Sequence, residues 1–147
     1  MTLYEFFKDA HSGWRYVVFL LIAVAIVQSI IGLSGNRPYS EGSRKLNLFA
    51  MISVDIQLLI GIVLYFLSPL VQFNSETMKN DTARYFTVEH WVAMLIAIAL
   101  VHIGHSRSKK AATPGAKHKS IAIFYFLALL IIIVTILLGK LPVFGSN

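Results

Sequence analysis

Residues 121–138 read IAIFYFLALLIIIVTILL and contain no charged side chain. An α-helix needs about 20 consecutive apolar residues to cross the ~30 Å hydrocarbon core of a bilayer. The run lacks the alternation of a barrel strand, and only helices and closed barrels satisfy their backbone groups in lipid. The sequence therefore predicts that this segment is a membrane-spanning helix.

Three more apolar runs precede it, so the predicted spans cover residues 14–34, 46–67, 87–105 and 121–140. The third is the least apolar, because Glu89 and His90 open it and His102 and His105 close it. Before the first span, Thr2 and Glu5 have the spacing of a capping box, which predicts a short interfacial helix over residues 2–10. We expect a single all-α domain over residues 1–147, an integral membrane four-helix bundle of up-down topology.

The composition agrees with a membrane protein. Of the 147 residues 56% are hydrophobic and only 14% are charged, whereas soluble domains carry about 25% charged residues. The net charge is +6, but the basic residues cluster at the ends of the apolar runs, which indicates membrane anchoring and not nucleic-acid binding. The absence of cysteine excludes thiolate catalysis and cysteine-ligated metals. No phosphate loop, nucleophile elbow or HExxH pattern occurs, so a hydrolase or a nucleotide-driven activity has no support. Whether the protein is an enzyme of another kind stays open.

The distribution of Lys and Arg predicts the orientation of the chain. The loops after the first and third spans hold the larger basic set, namely Arg37, Arg44, Lys45, Arg107, Lys109, Lys110, Lys117 and Lys119. The opposite side has Lys8, Arg15, Lys79, Arg84 and Lys140, offset by Glu5, Asp9, Glu76, Asp81 and Glu89. By the positive-inside rule the first set lies in the cytoplasm. Both termini are then non-cytoplasmic.

Two histidines stand at the same end of diagonal helices. His11 precedes the first span and His90 opens the third, and these spans run in the same direction. First and third helices of an up-down bundle face each other across the core. This placement predicts axial ligation of a b-type haem iron by His11 and His90. The alternative is that both imidazoles merely form hydrogen bonds at the membrane interface.

Charged and aromatic groups near these histidines suit the haem hypothesis. Arg15 lies one helical turn after His11 and, with Arg84, is placed to neutralise haem propionates. Glu89 is a candidate to orient an imidazole. Trp14, Trp91 and Tyr85 are candidate pocket walls.

The other three histidines lie near the basic loops. His102 and His105 are three residues apart on one helix, and His118 precedes the fourth span. Their basic surroundings favour interface anchoring over a second haem or a metal site.

Asp55 is the one carboxylate deep within a predicted span, roughly 13 Å past its cytoplasmic end by helical rise. Ionisable groups at such depth are rare and often functional. One interpretation is a proton-accepting or partner-binding carboxylate. The other is a protonated side chain hydrogen-bonded to Gln28, Ser29 or Gln57.

Four motifs together resemble a family of small bacterial four-helix membrane proteins labelled cytochrome b-like. They are His11-Ser-Gly-Trp-Arg15, Gln57-Leu-Leu-Ile-Gly61 with Tyr65, Phe86-Thr-Val-Glu-His90, and Gly104-His-Ser-Arg-Ser-Lys-Lys110. The resemblance implies a multi-pass cytochrome of the bacterial inner membrane, with His11 and His90 as haem ligands.

The first functional hypothesis is therefore a haem b protein that transfers electrons between a quinol or another membrane partner and a carrier at the outer face. The second is a non-enzymatic accessory subunit of a larger membrane complex without a cofactor of its own. A proton-conducting role for Asp55 is a third. With loops this short, we expect partners chiefly within the bilayer, namely lipid, other membrane subunits and a quinone.

Overall fold

The structure is a computed structural model that describes residues 1–69, 71, 73–74 and 77–139. Four long helices dominate it: α1 (Leu3–Ser34), α2 (Glu41–Leu67), α4 (His90–Lys110) and α5 (Pro114–Leu138). Ahead of α4 come a 3-10 turn (Thr77–Lys79), the short helix α3 (Asp81–Arg84) and a π-helical turn (Tyr85–Glu89). The described residues contain no strand, which confirms the all-helical prediction.

Side-chain caps fix where the helices begin. Thr2 and Glu5 form the predicted capping box, with Thr2 Oγ1 accepting from the Glu5 amide at 3.1 Å and Glu5 Oε2 from the Thr2 amide at 3.2 Å. Ser40 caps α2 and Thr113 caps α5, where Pro114 occupies the first turn. Each cap satisfies a backbone amide that has no partner within its helix.

The helices extend beyond the predicted spans. The segment expected to form an interfacial helix is the beginning of α1, which continues without a break to Ser34. The third apolar run is part of a helical segment from Asp81 to Lys110. Residue 140, predicted to end the last span, lies outside the described residues, as does Glu76 from the charge comparison.

The four helices pack in a ring. α1 packs against α2 and α5, α4 packs against α5, and a much smaller contact between α2 and α4 completes the ring. Helices α1 and α4 are therefore diagonal, as expected for up-down topology. The core contains Ile22, Val101, Ile121 and Tyr125, all fully buried, and Tyr125 Oη donates to the Asn47 carbonyl at 2.7 Å.

The outside of the bundle is apolar. Leu20 and Leu59 are each 64% exposed and Phe66 is 77% exposed. Four helices are long and apolar enough to cross a bilayer. A surface of this kind is stable in contact with lipid tails and not with water, so the chain is a multi-pass membrane protein.

The bundle has two chemically different ends. The histidine end contains His11 and His90, the end of α2 and the end of α5. The basic end contains the connections between α1 and α2 and between α4 and α5, with Arg37, Arg107 and Lys117 among its cations. Which end faces the cytoplasm stays a prediction from the charge distribution.

Candidate cofactor site between two histidines

The π-helical turn determines what lies beside His90. Residues five apart point about 140° away from each other on a regular α-helix. In the turn from Tyr85 to Glu89 the His90 amide instead donates to the Tyr85 carbonyl, five residues back. The wider turn brings the Tyr85 and His90 rings to one side of the helix, with their centres 5.6 Å apart. Such turns recur at functional sites.

The two histidine rings meet across the diagonal of the bundle. The centres of the His11 and His90 rings are 6.2 Å apart, and their planes are inclined by 54°. Both side chains are partly buried. The sequence-based expectation that these two residues share one end of the bundle is therefore met by their positions.

Hydrogen bonds assign the proton of His90 to one nitrogen. Tyr85 Oη donates to the Thr135 carbonyl at 3.0 Å and lies 3.3 Å from His90 Nδ1. Because the hydroxyl proton is used on Thr135, the Tyr85 oxygen accepts from Nδ1–H. His90 Nε2 is then unprotonated and able to bind a metal ion. The Tyr85 ring fits because Gly139 has no side chain beside it.

His11 is held by α2. Gln57 Nε2 donates to the His11 carbonyl at 2.8 Å and lies 3.3 Å from His11 Nδ1. In this arrangement Nδ1 accepts, and the His11 proton is on Nε2. Gln57 Oε1 is buried and has no hydrogen-bond partner among the described residues. One turn further along α2, Gly61 faces His11, and a Cβ there would lie 3.3 Å from His11 Nε2.

The charged residues predicted for this site have other partners. Arg84 binds Glu89 at 2.6 Å and Asp81 at 3.2 Å. Glu89 thus contacts Arg84, and the group found at His90 is the Tyr85 hydroxyl. Arg15 is buried, with 7% exposed, and its guanidinium lies 5.3 Å from the centre of the Tyr16 ring.

The two tryptophans serve mainly to pack helices. Trp14 Nε1 donates to the Ser53 carbonyl at 2.7 Å and ties α1 to α2. Trp91 Nε1 donates a hydrogen bond to the Thr87 carbonyl, and the Trp91 ring contacts the Tyr65 ring. Of the three predicted pocket walls, Tyr85 has a ring contact with a site histidine.

Asp55 pairs with His102 across the α2–α4 seam. Asp55 Oδ1 and His102 Nε2 are 2.7 Å apart. The expected hydrogen bond from Asp55 to Gln28, Ser29 or Gln57 is therefore wrong. Gln28 donates to Ser43 Oγ at 3.2 Å, Gln57 binds His11, and Ser29 Oγ has no partner among the described residues.

The remaining histidines are separate from one another. His118 is buried against Gly32, donates from Nε2 to the Arg37 carbonyl at 3.2 Å and contacts the Tyr39 ring. His105 is buried, and its Nδ1 has no hydrogen-bond partner in the described chain. Nowhere in that part of the chain do three or more His, Asp or Glu side chains form a metal-binding group.

Sequence reasoning missed how Gln57 and Gly61 act on His11. Their spacing of four residues puts both on one face of α2, and that face turns toward the start of α1. Hydropathy gives no sign of this, because an apolar span tolerates a glutamine and a glycine on any face. The signal available in the sequence was the side-chain amide of Gln57, because an amide is costly to bury without a hydrogen-bond partner.

Comparisons with known proteins do not identify a family. No family model, curated protein or solved structure matches this chain. The resemblance to cytochrome b-like proteins accordingly stays a prediction based on the four motifs.

Proposed function

We propose that the protein is a b-type haem-binding electron-transfer protein of the bacterial inner membrane, with the iron held between His11 and His90. The observation that carries the proposal is the 6.2 Å separation of the two ring centres. An imidazole nitrogen binds a metal ion at about 2.0 Å, and two rings with centres this close are near enough to bind the same ion.

Two further features of the site suit this cofactor. His90 Nε2 is unprotonated because Nδ1–H donates to Tyr85, and a second hydrogen bond of this kind orients most metal-bound histidines. Gly61 keeps His11 Nε2 free of a side chain from α2, because a Cβ there would lie 3.3 Å from that nitrogen. The nitrogen that would bind the iron is therefore not covered by a side chain at this position.

His11 fits after one local rearrangement. Its proton is on Nε2, because Gln57 Nε2 lies at Nδ1. Ligation by Nε2 requires the proton to move to Nδ1 and an acceptor to face it. Gln57 Oε1, which is buried without a partner in the described chain, would become that acceptor if the amide turned and gave up the bond from Nε2 to the His11 carbonyl. Gln57 is therefore a positioning residue for His11.

The haem would supply a one-electron couple within the membrane. His11 and His90 would bind the iron, Tyr85 and Gln57 would orient the imidazoles, and Arg15 would neutralise a propionate. Arg84 is a weaker candidate for that role, because Asp81 and Glu89 already offset its charge.

An absorption spectrum of the purified protein tests the proposal. We expect a Soret band that shifts on dithionite reduction, and low-spin ferric iron by electron paramagnetic resonance. His90→Ala should abolish the low-spin signal, while the control His118→Ala, which changes a histidine at the other end of the bundle, should retain it. A purified protein with no Soret band after expression with added haem precursor contradicts the proposal.

A further inference from the structure

The Asp55–His102 pair breaks a general rule of membrane proteins. Ionisable side chains within spans almost always face the bundle interior or a water-filled cavity. Here the side chain of Asp55 is 38% exposed and that of His102 is 46% exposed. Ile52, three residues before Asp55, and the chain neighbours Ile56 and Ile103 are apolar and exposed as well. The pair is therefore on the lipid-facing side of the bundle.

The pair lies toward the basic end of the bundle and far from the candidate haem site. Asp55 is nine residues into the second predicted span, and His102 is three residues before the end of the third. His102 is also twelve residues after His90, about 18 Å by helical rise. A ligand of the pair therefore approaches from the lipid side of the bundle.

Two polar atoms of the pair are left over. Asp55 Oδ2 and His102 Nδ1 have no hydrogen-bond partner among the described residues, since the one bond of the pair joins Oδ1 to Nε2. Leaving such atoms in hydrocarbon is costly. The exposed atoms therefore call for a ligand that offers hydrogen bonds.

We propose that Asp55 and His102 bind the head group of a lipid-soluble quinone or quinol, which enters from the bilayer along the α2–α4 seam. In the form with a carboxylate and a neutral imidazole, Oδ2 and Nδ1 both accept, and they match the hydroxyl donor of a quinol. With one more proton the pair offers Nδ1–H, which matches the carbonyl of a quinone. Both redox forms of the ligand thus find a partner.

The weak contact between α2 and α4 favours a flat ring as the occupant. Every other pair of adjacent long helices packs more extensively. A planar head group fits beside such a seam more readily than a partner helix about 10 Å wide. The branched side chains of Ile52, Ile56 and Ile103 provide an apolar surface for an isoprenoid tail.

This inference deepens the proposed function. It rests on that function only where electrons from the quinol are passed to a haem. Binding itself requires no haem. The two proposals can therefore fail separately.

The test measures binding of decylubiquinol and decylubiquinone to the full chain in nanodiscs by calorimetry, with empty nanodiscs subtracted. Asp55→Asn and His102→Gln should each raise the Kd for quinol at least about tenfold, as expected for loss of a charge-assisted hydrogen bond. Asp55→Glu, which keeps the carboxylate, should retain most of the affinity. The control Glu41→Gln removes an exposed carboxylate at the start of α2 and should change nothing.

Three results overturn the inference. In the first, the unmodified protein binds no more quinol than empty nanodiscs do. In the second, the Asp55→Asn and His102→Gln variants bind quinol as well as the unmodified protein. In the third, no quinol binds, and a stoichiometric protein subunit copurifies with the unmodified protein but is lost from Asp55→Asn. His90→Ala separates the two proposals. That variant should lose the low-spin haem signal and keep Asp55-dependent quinol binding.

Discussion

Gly61 shows how one missing side chain shapes the candidate haem site. It faces His11 from α2, and a Cβ at this position would lie 3.3 Å from Nε2 and 3.5 Å from Cδ2 of that ring. The first distance is a close contact and the second an ordinary one. An alanine at residue 61 would therefore press on Nε2, the nitrogen that we propose as the iron ligand.

We expect Gly61→Ala to reduce haem binding about tenfold or more, as changes next to a metal ligand typically do. The matched control is Gly13→Ala, because Gly13 is also helical and a Cβ there meets no atom within 4 Å. Alanine favours the helix at both positions, so helix stability cannot account for a loss seen only at residue 61. The measurement is a haem titration followed at the Soret maximum. Equal haem affinity in the two variants would place the macrocycle away from Gly61.

At this scale the sequence predicted that His11 and His90 share one end of the bundle, but not what surrounds them. Their placement follows from span order, which depends only on where apolar runs begin. The hydrogen bonds from Gln57 to His11 and from His90 to Tyr85 depend on helix rotation. Rotation is set by packing between helices, and an apolar span carries little periodicity from which to infer it.

Among the elements, the π-helical turn has the clearest consequence for the site. The third apolar run was predicted to start at residue 87, because hydropathy rises there. The helical segment instead begins at Asp81 and contains the wide turn from Tyr85 to Glu89. A π turn has no signature in composition, since it depends on one backbone hydrogen-bond shift. Without it the Tyr85 ring would point away from His90.

Deleting Val88 should convert the π turn into a regular α-helical turn. After the deletion Tyr85 and the histidine are four residues apart, about 40° around an α-helix, so the Tyr85 hydroxyl stays beside the imidazole and the Thr135 carbonyl. We expect the protein to remain helical by circular dichroism and to keep its low-spin haem signal. Deletion of Ala112, in the connection between α4 and α5, is the control for the loss of one residue elsewhere and should also keep the signal. A Val88 deletion that stays helical and loses the signal would show that the wide turn itself is needed to position the histidine.

For the whole molecule, the order of helices around the ring explains both sites. Diagonal placement of α1 and α4 brings His11 to His90, and the small contact between α2 and α4 leaves Asp55 and His102 exposed. The apolar runs and short connections were enough to predict four helices in this order. They were not enough to predict the Asp55–His102 pair, which depends on how closely two particular helices approach.

Sidedness determines which compartment each site serves, and it can be tested directly. The chain contains no cysteine, so single substitutions give unambiguous thiol labelling. Arg44→Cys and Arg107→Cys lie at the basic end, and Asp81→Cys lies at the start of the segment that leads to His90. The positive-inside rule places the basic end in the cytoplasm. In intact spheroplasts, a membrane-impermeant maleimide should label residue 81, and residues 44 and 107 should react only after lysis.

Labelling of residues 44 and 107 in intact spheroplasts would reverse the orientation and place the histidine end at the cytoplasm. Labelling of only one of the two would contradict the four-span topology itself, because an even number of crossings must separate them.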